Sequence, residues 1–116
     1  MSLLPLERLL HIQQEASYLQ RCQVKHSLGE IIRDETLSRA VVRSLEIIGE
    51  AVKSLPGEWR DHYNTVPWRQ IARMRDRLIH HYFDVDYEVV ADVLSNEITP
   101  LAETVAMMLR ELQKGQ

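Results

Sequence analysis

The stretch "ETLSRAVVRSLEIIGEAVKSLPG", residues 35–57, has the clearest periodic pattern in the chain. Its apolar side chains recur in steps of four, four, three, four and three residues, at Leu37, Val41, Leu45, Ile48, Val52 and Leu55. This spacing places them on one face of an α-helix. Asp34 stands at the N-cap position, and Pro56 with Gly57 ends the pattern. The stretch therefore predicts an amphipathic helix with one buried face.

Similar patterns predict helices on the N-terminal side of this stretch. A first helix from about Pro5 to about Val24 is indicated by apolar residues at Leu9, Ile12, Ala16 and Leu19. Ser27 and Glu30 have the spacing of a capping box, which predicts a short helical piece between the two longer helices.

The C-terminal half predicts two or three more helices. "GEWRDHYNTV" (57–66) reads as a loop, and a third helix is expected from near Thr65 through "PWRQIARMRDRLIHHYF" (67–83). "DVD" (84–86) supplies a break and an N-cap for a fourth helix, "YEVVADVLSNEI" (87–98). Pro100 either kinks that helix or begins a fifth, "PLAETVAMMLREL" (100–112). Short connections between amphipathic helices predict an all-α, antiparallel bundle of four to five helices.

Length and composition set the remaining limits. The 116 residues, 45% of them hydrophobic and 27% charged, suit one helical domain over residues 1–116. One cysteine, Cys22, allows neither an internal disulfide nor a cysteine-based zinc site. No apolar run approaches the roughly 20 residues that span a membrane, and the N-terminus does not resemble a signal peptide. A cytoplasmic location without membrane partners is expected.

Arg75 holds an unexpected position on the third helix. On a wheel of roughly 100° per residue, it lies near the centre of a stripe formed by Trp68, Ile71, Ala72, Leu78, Ile79, Tyr82 and Phe83. One interpretation is a structural ion pair with Glu46 or Glu50 on the preceding helix. The other is a partner or ligand surface on which the guanidinium binds an anion such as phosphate.

His80 lies at the border of the same predicted stripe. Asp76, four residues earlier, is close enough on a helix to orient the imidazole ring. An arginine, a histidine and a carboxylate suit phosphodiester transfer within RNA, with His80 moving protons and Arg75 stabilising the phosphate. The basic polar side of the helix, with Arg69, Arg73 and Arg77, is predicted to contact the RNA backbone.

The segment "HHYFDVD" also raises the possibility of a metal site. It contains His80, His81, Asp84 and Asp86, which are all common ligand types. On a helix, however, His81 points about a quarter turn away from His80, and Asp86 is better explained as a helix cap. Neither a metal nor a cofactor is therefore expected.

The residues around Arg75 resemble a known motif. "RDRLIHHY" (75–82) is similar to the sequence arginine, four residues, histidine, one residue, tyrosine that is found in HEPN-domain ribonuclease toxins of the HepT kind. "RSLEIIGEAVKSLP" and "VPWRQIARMRDRLIHHYFDVDYEVV" resemble further segments of that family. The likeness extends from about Glu15 to about Leu101, and it is strongest over residues 43–90.

This resemblance implies a HEPN-like homodimer whose motif helices line a composite cleft at the interface. It implies the toxin of a type II-like toxin–antitoxin pair, a metal-independent endoribonuclease with Arg75 and His80 as catalytic residues. Asp76 and Tyr82 would support them, although the family often has asparagine where Asp76 stands. It also implies a minimal nucleotidyltransferase antitoxin that neutralises the toxin by transferring AMP to Tyr82.

A second functional class stays open. The chain could be a noncatalytic helical module that binds a nucleotide or docks a nucleotidyltransferase. Cleavage of RNA that depends on His80 distinguishes the enzyme from the module.

Overall fold

The computed structural model describes residues 4–114. Over that range the chain forms eight helices and one two-stranded antiparallel hairpin. The elements in chain order are α1 Pro5–Lys25, α2 Leu28–Arg33, α3 Glu35–Lys53, α4 Gly57–His62, α5 Trp68–Ala72, α6 Met74–Leu78, β1 Ile79–His81, β2 Asp84–Val85, α7 Tyr87–Asn96 and α8 Ile98–Lys114. The prediction of an all-α fold is confirmed, although the elements are shorter and more numerous than expected.

The three longest helices form the centre of the fold. Helix α1 packs against both α3 and α8, and α2, α5, α6 and α7 complete the core around them. Fully buried side chains include Leu9, Ile12, Leu45, Ile48 and Val105. Their burial follows the three- and four-residue spacing in the sequence, so each amphipathic helix contributes its predicted face. None of the helices within residues 4–114 is long and apolar enough to cross a membrane.

Side-chain caps fix the starts of three helices. At α2, the Glu30 amide donates to the Ser27 hydroxyl at 3.2 Å, and the Ser27 amide donates to the Glu30 carboxylate at 3.3 Å. This confirms the predicted capping box. At α3, the Leu37 amide donates to Asp34 at 2.7 Å, and Asp86 caps α7 in the same way. Pro100 lies in the first turn of α8, so a separate fifth helix is correct and a kink is not.

The interpretation of residues 57–66 as a loop is wrong for the first six residues and correct for residues 63–66. Gly57–His62 forms helix α4, and the following Tyr63 is buried. The Tyr63 carbonyl accepts a hydrogen bond from the Trp68 indole at 2.8 Å, while its hydroxyl donates to Glu111 at 2.6 Å. This second bond stabilises the neutral phenol and raises the pKa of Tyr63. The segment therefore holds α5 and α8 in place.

The predicted third helix is also wrong in its extent. It breaks at Arg73, whose backbone (φ −94°, ψ 17°) lies between α5 and α6. Helix α6 then ends at Leu78, and the chain turns into strand β1. The Asp86 amide donates to the Leu78 carbonyl at 2.6 Å, which closes the hairpin onto the helix end. Residues 79–83 include Ile79, Tyr82 and Phe83, and β-branched and aromatic residues favour an extended backbone over a helix.

Gly49 allows α3 to approach the junction of α5 and α6. A Cβ atom at this position would lie 2.9 Å from the Met74 Cβ and 3.1 Å from the Ile71 carbonyl oxygen. Both distances are shorter than ordinary van der Waals contact. The absence of a side chain at Gly49 therefore sets how closely the segment with Arg75 packs on the core.

The single domain over residues 1–116 and the homodimer stay predictions.

Candidate active site around His80

His80 lies on strand β1 of the hairpin, and its side chain is 55% exposed. Its Nε2 atom is 3.2 Å from Oδ2 of Asp86. The other carboxylate oxygen of Asp86, Oδ1, accepts the Val89 amide at 3.2 Å. The carboxylate that caps α7 therefore also holds the imidazole ring.

The charge state of Asp86 follows from these two bonds. The hydrogen bond to the His80 ring, followed by the bond from the Val89 amide, holds the pKa of the Asp86 carboxyl below its usual range. An ionised carboxylate can only accept hydrogen bonds, so Nε2 of His80 carries the hydrogen of this pair. The other ring nitrogen, Nδ1, takes no part in this hydrogen bond.

The predicted contact between Asp76 and His80 is wrong. Helix α6 ends at Leu78, so the two residues are not one helical turn apart, and His80 bonds to Asp86 instead. Asp76 and His80 nevertheless line the same open groove of about 430 Å³. The remaining lining residues are Arg77, Asp86, Glu88, Val89 and Asp92. Four carboxylates thus surround one histidine in a single chain.

Arg75 is not buried in an apolar stripe, as the helical wheel predicted. Its side chain is 70% exposed, and the buried face of this region consists of Ile71, Met74 and Leu78. The Arg75 Nε atom lies 4.0 Å from a carboxylate oxygen of Glu46, which is itself 23% exposed. The alternative of an ion pair with Glu46 is therefore confirmed in its partner and wrong in its burial, since only a loose pair at the surface is present.

Arg77 has a structural partner instead of a free position on a basic face. Its two terminal nitrogens donate to the two oxygens of Glu97 at 3.0 and 2.6 Å. Both side chains are largely buried, at 23% and 14% exposure. The Glu97 hydrogen bonds raise the pKa of the Arg77 guanidinium. This bidentate pair joins α6 to the residue between α7 and α8.

Arg69 and Arg73 are exposed, as the sequence predicted for backbone-binding cations. Arg69 lines an open groove of about 320 Å³ between α4 and α5, together with Arg60, Asn64 and Trp68. Arg73 occupies the break between α5 and α6. Arg69 and Arg73 are therefore available to a ligand, whereas Arg77 is not, although the sequence grouped all three on one face.

Tyr82 and Phe83 form the turn of the hairpin and lie far outside the core. Tyr82 is 95% exposed and Phe83 is 73% exposed, so the prediction that they share a buried stripe with Arg75 is wrong. The Phe83 ring stacks on His81, with centroids 5.5 Å apart, and meets Tyr82 edge-on at 5.2 Å. The motif tyrosine thus presents its phenol to the solvent.

The possible metal ligands of "HHYFDVD" do not come together as a set, since within this segment, which the structure describes throughout, only the side chains of His80 and Asp86 are in contact. Between residues 4 and 114, no three side chains of His, Cys, Asp or Glu are placed to hold a metal ion. His81 stacks on Phe83, and Asp86 serves as cap and histidine partner.

Sequence reasoning missed two residues of this region, Asp86 as the partner of His80 and Glu97 as the partner of Arg77. The Asp86 contact could have been found from Ile79, Tyr82 and Phe83, since a hairpin at these residues brings Asp86 back toward His80. The sequence contains no comparable local signal for Glu97, because it lies 20 residues from Arg77.

Comparison with known proteins places this geometry in context. The sequence pattern of the family described as "Ribonuclease HepT-like" matches residues 12–108. A protein of Caldanaerobacter subterraneus subsp. tengcongensis, provisionally named as an RNase, is 45% identical over 107 residues, which cover 92% of this chain and 96% of the relative. No solved structure gives a significant match.

Two archaeal relatives are also similar. One from Methanocaldococcus jannaschii, provisionally named as an RNase, is 40% identical over 87 residues, covering 75% of this chain and 72% of the relative. One from Thermococcus cleftensis, provisionally named as ribonuclease HepT, is 43% identical over 72 residues, covering 62% and 66%.

Proposed function

We propose that this chain, which belongs to the Ribonuclease HepT-like family, is a metal-independent endoribonuclease that acts as the toxin of a toxin–antitoxin pair. The observation that carries the proposal is the exposure of all three motif side chains inside the matched region. Arg75, His80 and Tyr82 are 70%, 55% and 95% exposed. None of the three is used to fill the core, and the contacts of Arg75 with Glu46 and of His80 with Asp86 leave more than half of each side chain accessible to a substrate or a partner.

The proposed reaction is an internal transfer within RNA. The 2′-oxygen attacks the adjacent phosphorus, the bond to the 5′-oxygen breaks, and a 2′,3′-cyclic phosphate and a 5′-hydroxyl end result. The 2′-hydroxyl loses a proton and the leaving 5′-oxygen gains one; His80 carries out one of these two transfers and water the other. Arg75 stabilises the negative charge that develops on the phosphate, since its guanidinium matches phosphate geometry. The reaction needs a 2′-hydroxyl, so RNA and not DNA is the substrate.

We propose that the complete site forms between two copies of the chain. In one copy the groove beside His80 is lined by the four carboxylates of Asp76, Asp86, Glu88 and Asp92, which repel a phosphate. Arg77 lines the same groove, but its charge is already paired with Glu97. Cationic groups from a second copy would offset this negative charge. Arg69 and Arg73, which are exposed, would contact the RNA backbone outside the cleft.

We further propose that a minimal nucleotidyltransferase antitoxin neutralises the toxin at Tyr82. The phenol oxygen would attack the α-phosphorus of a nucleoside triphosphate, pyrophosphate would leave, and the phenolic proton would pass to a base. The exposure of Tyr82 at a hairpin turn supports this proposal, because a transferase could reach the hydroxyl without unfolding the bundle. AMP on Tyr82 would add bulk and negative charge two residues from His80 and exclude RNA.

The nuclease proposal is tested with RNA and purified protein in the presence of a chelator. We expect cleavage by the wild-type chain and a loss of at least about a hundredfold in His80→Ala. Arg75→Met should lose a similar factor, whereas a DNA strand of the same sequence should stay intact. Cleavage that persists equally in both variants would come from a contaminating nuclease and contradict the proposal.

The regulatory proposal has a separate readout. Intact-mass measurement of the chain after expression with a minimal nucleotidyltransferase should show a gain that corresponds to AMP. The gain should vanish in Tyr82→Phe, which keeps the ring and removes only the hydroxyl. An equal gain in Tyr82→Phe would place the modification on another residue.

The acidic groove favours a second candidate function. Four carboxylates around His80 suit a protein partner with basic side chains better than they suit RNA. The chain would then be a noncatalytic module that docks the nucleotidyltransferase. Stable binding of that partner, without cleavage of any RNA, would favour the module over the enzyme.

A further inference from the structure

We infer that Asp86 is the positioning residue that orients His80 for proton transfer, in the place that the sequence pattern assigned to Asp76. This inference rests on the proposed ribonuclease function and adds a residue to its site. Asp86 does not need to touch the RNA, since it acts through the imidazole ring.

The geometry holds the carboxylate at both of its oxygens. Oδ1 accepts the Val89 amide in the first turn of α7, and Oδ2 is 3.2 Å from Nε2 of His80. The carboxylate is therefore fixed by a ten-residue helix and not by a flexible loop. Because the ring is bound to this fixed group, its orientation is tied to the start of α7.

The contact also selects the nitrogen that is available for the reaction. Since the ionised carboxylate is only an acceptor, Nε2 keeps its hydrogen and Nδ1 exchanges the proton with RNA. The pKa of the Asp86 carboxyl lies below its usual range, first because of the His80 bond, which agrees with an ionised acceptor at neutral pH.

The other charged groups that face the ring across the groove are Asp76 and Arg77 from α6, and Glu88 and Asp92 from α7. The charge of Arg77 is committed to Glu97. The three carboxylates have the same charge as Asp86, but the hydrogen bond of His80 runs to Asp86. A variant of Asp92 therefore removes an equal charge from the same groove without removing the contact.

The test compares three serine variants in RNA cleavage. Asp86→Ser keeps a good N-cap for α7 but is too short to reach the His80 ring. We expect its kcat to fall by about tenfold or more while KM changes by less than about twofold. Asp92→Ser should keep its kcat within about twofold, and its KM should change in the same direction as that of Asp86→Ser, because each variant removes one carboxylate that repels the phosphate. A fall of kcat in Asp76→Ser, with Asp86→Ser unaffected, would overturn the inference.

A second measurement does not depend on cleavage. The carboxyl carbon of Asp86 is titrated by NMR in the wild-type chain and in His80→Ala. The midpoint should move to higher pH in the variant, because the hydrogen bond that lowers the pKa of Asp86 is gone. An unchanged midpoint overturns the contact and with it the inference. A moved midpoint in a protein that cleaves no RNA would instead count against the proposed function alone.

Discussion

Arg73 and Arg77 lie close together in the sequence but have different roles. Arg77 forms a bidentate pair with Glu97, whereas Arg73 is exposed at the break between two short helices. Two hydrogen bonds between largely buried charged groups contribute to stability mainly because an unpaired partner would be costly. Arg73, which is exposed, is therefore the better candidate for binding RNA, and Arg77, which is paired, stabilises the fold.

We predict that Arg77→Met lowers the free energy of unfolding by about 2 kcal/mol, since Glu97 would stay partly buried without a partner. Urea denaturation measures the change. Adding Glu97→Met should recover much of the loss, because both charges are then removed. Arg73→Met is the matched control and should stay within about 0.5 kcal/mol. Equal losses in the two single variants would contradict the structural role of Arg77.

Glu30 gives a prediction for pH. The Ser27 amide, the His26 ring and the Ser27 hydroxyl bond to its carboxylate, in that order of effect, and hold its pKa below the usual range. A depressed folded-state pKa contributes stability above the unfolded value of about 4.3, and this contribution is lost as pH falls through the folded value. The wild-type chain should therefore be more stable than Glu30→Gln at neutral pH, and the difference should vanish at an acid pH below the folded-state pKa.

Urea unfolding of both chains at the two pH values checks this expectation. A difference that persists unchanged in acid would show that the shape of the side chain, and not its charge, caps α2.

At the scale of elements, the packing of α3 against α5 and α6 decides where Arg75 lies. Gly49→Ala should lower the free energy of unfolding by about 1–2 kcal/mol, because overpacking outweighs the better helix propensity of alanine. The new Cβ would lie 2.9 Å from Met74. Thermal or urea denaturation tests the change. Gly57→Ala is the matched control, since a Cβ there meets nothing within 4 Å; a loss as large as that of Gly49→Ala would contradict the packing explanation.

The long helices and their caps could be predicted from sequence because their signals are local. Leu45 and Ile48 on α3 and the Ser27 capping box depend on residues three or four positions apart. The region after Arg73 could not be placed on the same basis. Ile79, Tyr82 and Phe83 were counted in the apolar stripe of the helical wheel and widened it around Arg75, although none of them belongs to a helix. The break at Arg73 also separates Trp68 and Ala72 from α6. Within α6, the apolar face is centred between Met74 and Leu78, and Arg75 lies at its border.

The exposure and the contacts of the candidate site residues depend on tertiary structure. Arg75, His80 and Tyr82 are all exposed, although the helical wheel placed Arg75 and Tyr82 in a buried stripe. The partner of His80 changed from Asp76 to Asp86 because a hairpin replaced one helical turn. The partner of Arg77 comes from the junction of α7 and α8, which spacing within one helix does not reveal.

At the scale of the whole molecule, a net charge of −3 and an acidic groove beside His80 make one copy a poor ligand for RNA. The proposed dimer predicts that Arg75→Met and His80→Ala chains complement each other. Each variant alone should be inactive. Mixed chains should recover up to about a quarter of wild-type activity, since about half of the dimers are mixed and each has one intact combination.

The measurement is RNA cleavage after the two variants are unfolded and refolded together, with light scattering to establish the mass of the species. Refolding each variant alone is the control. A dimer without recovered activity would mean that Arg75 and His80 act within the same chain.

The hairpin turn has a consequence for how this family can diversify. Because Tyr82 and Phe83 are 95% and 73% exposed, neither ring is required to hold the helices together. Substitutions at the turn should therefore leave the fold intact while changing what the turn meets. The residues accepted at these two positions should therefore be limited by binding to a partner and not by the stability of the fold. A library randomised there would consist mostly of folded proteins, and its survivors under selection would report the recognition requirements alone.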